Sequence, residues 1–151
     1  MIKRMNWIKL FVVLSISFIL PFLLIRNAII DVQKIKELGN DFHYNIISTS
    51  SIIGGFLFTG ISILISAIDK DRIKRLWENN YLDNLYRAAF VGVFSNVFSI
   101  IAASIYLICK LRKSMREIII YIEVIGLFIG IFFFLWCIKK LISIVSKLKN
   151  Q

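Results

Sequence analysis

Four long stretches of the sequence carry almost no charge, and this feature constrains the fold more than any other. They comprise residues 7–25, 44–68, 88–109 and 118–138. Two of them contain no charged side chain, and the other two contain only Lys9 and only Glu123. A helix of about 20 apolar residues crosses the hydrocarbon core of a bilayer, whereas an open sheet edge leaves unpaired backbone groups in lipid. The sequence therefore predicts an all-α integral membrane protein with four transmembrane helices in an antiparallel bundle.

The composition argues against a soluble domain. Apolar residues make up 58% of the chain and charged residues only 19%, against about 25% charged residues in average soluble proteins. A small soluble domain has a high ratio of surface to volume and cannot bury that much apolar surface. We expect one membrane domain over residues 1–151.

The connections carry the charge, which gives a net +10. Gly39-Asn40 is typical of a turn. Residues 69–87 read as an amphipathic charged hairpin that turns at Asn79-Asn80, and residues 139–151 as a basic tail at the membrane interface. With a cytoplasmic N-terminus, twelve basic residues lie inside and seven outside. This bias favours both termini in the cytoplasm, although the basic residues at 110–113 then lie outside.

Small residues recur on one face of the second span and, more weakly, on the third. The face comprises Ser51, Gly55, Thr59, Ser62 and Ser66, with Asn96 and Ser99 on the third span. Small residues let membrane helices approach closely, since packing drives their association in lipid. Two interpretations remain open at this point. The residues either pack helices inside one subunit, or form a subunit interface or the lining of a polar path.

Glu123 is the only acidic residue within a predicted span. An ionisable group in the membrane is costly, and therefore a candidate for function. The alternative is that Glu123 reaches water or pairs with Arg116. Glu123, Gly126 and Gly130 share a helix face, which indicates contact with a neighbouring helix. Asn96 requires a hydrogen-bond partner inside the bilayer, and we expect it to join two helices.

No pattern of residues indicates catalysis. His43, the single histidine, lies at the edge of the second span without the companions of a catalytic triad or a zinc site. Phosphate-binding, dinucleotide-binding and zinc-hydrolase motifs are missing from the sequence. Cys109 and Cys137 read as packing residues. We therefore expect no enzyme activity, no cofactor and no metal.

A stretch of about residues 46–100 resembles small bacterial four-helix membrane proteins, some of which resemble effectors of anti-phage or abortive-infection systems. The resemblance rests on Gly54-Gly55-Phe56-Leu57, Gly60-Ile61-Ser62-Ile63-Leu64, Asp69, Ile73-Lys74-Arg75-Leu76, Asn80-Tyr81-Leu82 and Leu85. It implies a homo-oligomer that breaches the membrane when a cytosolic partner or an anionic nucleotide signal arrives. It implies no catalytic residue, and the sensing falls to a separate protein.

The leading hypothesis is therefore an oligomeric inner-membrane effector that forms a pore. We call the charged hairpin of residues 69–87 the middle loop. In this hypothesis it contacts the cytosolic partner or the anion through Lys70, Arg72, Lys74 and Arg75. One alternative is a small ion- or proton-coupled transporter that uses Glu123. Another is a membrane anchor or accessory subunit for a partner protein.

Overall fold

Helices account for all the regular structure that is described. The structure, a computed structural model, describes residues 5–27, 32–66 and 82–149, and no strand occurs within these ranges. The helices are α1 (Met5–Arg26), α2 (Val32–Glu37), α3 (Asn40–Ser66), α4 (Asp83–Ile108) and α5 (Lys113–Lys149). The prediction of an all-α fold is confirmed for this part of the chain.

Three helices are long and apolar enough to cross a membrane. These segments are Asn40–Ser66, Leu85–Ile108 and Lys113–Ser143. At about 1.5 Å per residue, each exceeds the roughly 30 Å of a hydrocarbon core. In α1 the apolar segment of this kind is shorter, Ser15–Leu24. The described part of the chain thus has three helices fit to span a membrane, and the fourth predicted span remains a prediction.

The outer surface of these helices is apolar. Large apolar side chains are exposed along α3 and α4: Ile52, Phe56, Phe58, Ile63, Ile65, Phe90, Phe94, Phe98 and Ile101. An apolar surface of this extent is unfavourable in water but is a suitable contact for lipid chains. The exposed surface therefore agrees with the membrane environment that the sequence predicts.

The bundle is built around α4, which packs against both α3 and α5. Helix α5 also contacts α1 and α3. At one end of the bundle, Leu57, Leu85, Phe133 and Cys137 belong to a single buried apolar cluster. Elsewhere the contact between α4 and α5 is made by small residues, which bring the two backbones close together. These small residues include Gly92, Gly126 and Gly130.

Helix α2 is joined to α3 by a tight turn at Gly39. The backbone N–H of Leu38 donates to Lys34 O at 3.1 Å, and Gly39 takes a φ of +60°. This left-handed conformation is favourable for glycine, because it has no Cβ. The predicted turn is therefore confirmed. It folds α2 back so that Ile35 packs on Ile120 and Val124 of α5.

The boundaries differ from the predictions at several points. Helix α3 begins at Asn40, so the predicted edge residue His43 lies inside its first turn. Helix α5 continues to Lys149, so the tail, as far as it is described, prolongs the last span rather than forming a separate segment. Of the predicted hairpin, the turn at Asn79-Asn80 lies outside the described residues, while residues 83–87 are the first of α4.

Candidate functional site

Two titratable side chains meet in the interior of the bundle. His43 of α3 and Glu123 of α5 are 1% and 0% exposed, and His43 Nδ1 lies 2.8 Å from Glu123 Oε2. The second carboxyl oxygen, Glu123 Oε1, is buried and has no hydrogen-bond partner among the described residues. Glu123 therefore neither reaches the surface nor pairs with Arg116, the alternative considered from the sequence. Its partner is a histidine 80 positions away.

The imidazole of His43 is held between aromatic rings. It stacks on Tyr106 of α4, with ring centroids 3.7 Å apart and an interplanar angle of 25°. Phe42 meets it edge-on at 5.4 Å. The guanidinium carbon of Arg116 lies 5.9 Å from the centroid of the Tyr106 ring. These contacts fix the plane of the imidazole, so that Nδ1 faces the carboxyl group.

Ser99 connects α4 to the same turn of α5. Its hydroxyl donates to the backbone oxygen of Glu123 at 2.8 Å, and the side chain is fully buried. The close approach depends on Gly126, where an added Cβ would lie 3.1 Å from Ser99 Cβ and 3.1 Å from Ser95 O. The face shared by Glu123 and Gly126 contacts the neighbouring helix, as the sequence indicates.

Asn96 lies deeper along the same contact and is fully buried. Its Nδ2 donates to Gly92 O in its own helix at 2.7 Å, and Oδ1 has no hydrogen-bond partner among the described residues. The expected hydrogen bond to another helix is thus replaced by one within α4. Contact with the other helices is made by packing, since Gly54 and Gly130 both lie against the Asn96 side chain.

Ser50 completes the set of buried polar groups between α3, α4 and α5. It is fully buried, and its hydroxyl has no partner within the described ranges. Ser50 belongs to the inner face of α3, which consists of His43, Ile46, Ser50, Leu57 and Ile61. We call His43, Glu123, Ser99, Ser50 and Asn96 the buried polar row. Beyond Asn96 the row meets Leu57 and Phe133, which pack against Gly92.

Charged side chains lie outside the row at its His43 end. Lys36 of α2 donates to Glu117 Oε1 of α5 at 2.6 Å, and both side chains are partly exposed. Ile35 of α2 fills the space between this ion pair and the interior by packing on Ile120. Helix α2 therefore covers this end of the bundle with an apolar side chain and one ion pair.

The predicted small-residue face of α3 lies on the opposite side of that helix. Ser51, Gly55, Thr59, Ser62 and Ser66 are all exposed. The hydroxyls of Ser62 and Ser66 donate to Phe58 O and Ile63 O of their own helix, each at 3.0 Å. The sequence pattern groups these five residues with Asn96 and Ser99. The structure separates the two sets, because Asn96 and Ser99 of α4 point inward. We call the five exposed residues the outer small face.

Other predicted groups fall outside these two sites. The basic residues proposed for partner contact, Lys70, Arg72, Lys74 and Arg75, lie outside the described residues. Within residues 5–27, 32–66 and 82–149, no three His, Cys, Asp or Glu side chains come together as metal ligands do.

Sequence reasoning missed His43 and Ser50 as members of the interior. Both lie at helical spacing with apolar residues of α3, at positions 43, 46, 50, 57 and 61. That spacing was available in the sequence but was hidden by the more regular small-residue pattern on the other face.

Comparison with known protein families, curated proteins and solved structures finds no match.

Proposed function

We propose that the protein is a non-enzymatic, homo-oligomeric effector of a bacterial inner membrane, which forms a pore or disrupts the bilayer when triggered. The observation that carries the proposal is the exposure of the complete outer small face of α3. The role in anti-phage defence rests on the resemblance of about residues 46–100. The trigger is a cytosolic sensor protein or an anionic nucleotide that contacts the basic residues of the middle loop.

The outer small face suits contact with a second copy of the chain. Apart from the adjacent residues and the backbone of the surrounding helix turns, no described atom lies within 4 Å of a Cβ added at Gly55. Packing within the subunit, the other interpretation of this face, therefore receives no support at Gly55. Small residues on a lipid-facing surface allow another helix to approach closely, and the hydroxyls of Ser51 and Thr59 are available to a polar path.

The proposed topology has four antiparallel spans with both termini in the cytoplasm. The 22 residues of α1 reach about 33 Å at the usual rise per residue, enough for a hydrocarbon core. Contact of His43, near the start of α3, with Tyr106, near the end of α4, supports an antiparallel pair. The excess of basic residues supports a cytoplasmic position for the middle loop.

The proposal is tested by ion flux from liposomes and by membrane potential in expressing cells, with and without the neighbouring genes. Replacing Gly55 and Thr59 by Leu should abolish both the oligomer and the flux, because bulky side chains keep the α3 helices apart. Phe94→Leu, on the exposed side of α4, is the matched control and should change neither. Flux that persists in a monomeric double variant, or no flux under any condition, would contradict the proposal.

A second candidate is a small ion- or proton-coupled transporter that uses Glu123. The buried contact between His43 and Glu123 favours it, because a titratable pair inside a membrane domain is suited to coupling. Glu123→Gln should then abolish coupled transport while leaving the assembled protein intact. Full transport by this variant would exclude the mechanism.

A further inference from the structure

We propose that the buried polar row is a proton-binding site with internal water, which exchanges with solvent past its His43 end. The inference goes beyond a pore and does not require one, since it concerns the interior of one subunit. The ligand is a proton, delivered by hydronium and held by the pair of His43 and Glu123. Ser50 and Asn96 hold the water molecules that exchange it.

Three buried oxygen atoms of the row support internal water. Glu123 Oε1, Ser50 Oγ and Asn96 Oδ1 are buried without a hydrogen-bond partner in the described part of the chain. Unpaired polar atoms are costly where lipid surrounds the helices. These three atoms occur at successive positions along one contact between α3, α4 and α5. Water molecules that bridge polar atoms of this kind are the usual way in which protein interiors satisfy them.

Contacts between the helices give the position, or level, of each polar group along the bundle axis. His43 meets Glu123 at the first level. Gly54, eleven positions after His43, meets Asn96 at the last. Ser50 precedes Gly54 by one helical turn, so its hydroxyl lies between these levels. At the usual rise the row is about 16 Å long. A few water molecules are enough to connect oxygen atoms over this distance.

The chemistry at the pair conserves atoms and charge. A hydronium ion gives one proton to the carboxylate of Glu123, forming the acid and leaving one water molecule. The proton then remains on the carboxyl oxygen or moves to His43 Nδ1, and both arrangements carry no net charge. Release follows the reverse path. Without this proton the pair carries one negative charge, and with it none. Because the two groups share the proton, they bind and lose it as one unit.

Access to the row is one-sided. Beyond Asn96, the side chains of Leu57 and Phe133 pack against Gly92 and close the interior. Among the described residues, α2 and the rings of Tyr106 and Phe42 lie over the His43 end. In the described part of the chain, contacts place four charged or titratable groups there: Lys36 of α2, Tyr106 of α4, and Arg116 and Glu117 of α5. Exchange with solvent therefore occurs past α2.

The experiment uses the full chain in lipid nanodiscs and follows the carboxyl stretching band of protonated Glu123 by infrared spectroscopy. Loss of the band in Glu123→Gln assigns it. We expect the band and the ¹⁵N shifts of His43 to change in the same pH interval, and His43→Gln to move that interval. The proposal would be overturned if the carboxyl band of His43→Gln changed in the same pH interval as that of the native protein. It would also be overturned if Na⁺, but not choline, abolished the band.

Exchange of the band in D₂O tests the internal water. Ser50→Ala should slow the exchange, because it removes one of the atoms that hold the water. Ser104→Ala is the matched control, since that hydroxyl donates to Ile100 O of its own helix at 2.9 Å and lies outside the row. Equal exchange in the two alanine variants would overturn the water path. None of these readouts depends on oligomer formation, pore activity or transport, so failure of those functions is measured separately.

Discussion

Gly130 of α5 lies so close to Asn96 of α4 that an added Cβ would be 2.7 Å from both Cγ and Oδ1 of the amide. One helical turn earlier, Gly126 has a similar relation to Ser99. The two glycines thus set the distance between α4 and α5 at the level of the buried polar groups. The amide has little freedom to move away, because its Nδ2 already donates to Gly92 O.

Gly130→Ala should therefore destabilise the subunit. Forcing an extra methyl group into a packed interior costs about 1–3 kcal/mol, even though alanine is the better helix former. The measurement is unfolding by SDS in mixed micelles, followed by the circular dichroism of the helices.

Gly60→Ala is the control for this prediction. Apart from the adjacent residues and the backbone of the same helix, no described atom lies within 4 Å of a Cβ at position 60, so the substitution should leave stability unchanged or raise it. An equal loss of stability in both variants would show that the cost comes from the helix backbone rather than from contact with Asn96.

Much of the packing between the helices can be predicted from the sequence, and some of it cannot. The spacing of Glu123, Gly126 and Gly130 predicts a face that meets another helix. The charge-free runs predict four spans, and three of them correspond to long apolar helices in the described residues. Helical spacing identifies faces, but it does not say which faces meet. His43 and Glu123 are 80 positions apart, so their contact depends on the arrangement of helices in space.

The faces of α3 illustrate the same limit. Its two faces carry different patterns, small residues on one and a mixture of His43, Ser50 and apolar residues on the other. In water the apolar face turns inward, which makes such assignments straightforward. In lipid both faces are acceptable on the outside, so hydropathy alone does not assign them. The structure assigns the small residues to the outer face.

Removing one partner of the pair of His43 and Glu123 should lower the free energy of unfolding more than removing both. Glu123→Leu leaves His43 Nδ1 buried without its partner, which should destabilise the subunit by about 1–3 kcal/mol. The double variant His43→Leu with Glu123→Leu removes both polar groups and should recover part of that loss. The same SDS unfolding experiment gives all the values needed for the cycle.

A matched control for the pair lies at the surface. Glu117→Gln removes the negative charge that pairs with Lys36 in a partly exposed ion pair, where solvent screens both charges, so it should have little effect. If the double variant proves as unstable as the sum of the two single variants, the contact between His43 and Glu123 contributes nothing of its own.

The turn at Gly39 should be sensitive to a side chain. Its φ of +60° is left-handed, and such a conformation costs residues with a Cβ about 1–2 kcal/mol. Gly39→Ala should therefore loosen the packing of α2, whereas Gly39→Asn should be milder because asparagine tolerates this region. Hydrogen exchange of the backbone around Ile35 measures the effect. Equal exchange in the two variants would mean that the conformation of Gly39 does not hold α2 in place.

The two native cysteines provide a direct test of the proposed orientation. Cys109 is exposed in the link between α4 and α5, whereas Cys137 is buried in the bundle. With a cytoplasmic N-terminus and four spans, the link lies outside. A maleimide that does not cross membranes should then label Cys109 in intact spheroplasts, and Cys109→Ser should abolish the signal. Cys137 should react only after the protein is unfolded.

The labelling of Cys109 also tests which group of basic residues determines the orientation in the membrane. Lys110, Arg112 and Lys113 follow this cysteine and by themselves favour a cytoplasmic link. The larger number of basic residues in the N-terminus, middle loop and tail favours the opposite orientation. Labelling only after permeabilisation would mean that the local cluster dominates. The outer small face of α3 would then run through the membrane in the reverse direction, with the basic middle loop away from any cytosolic trigger.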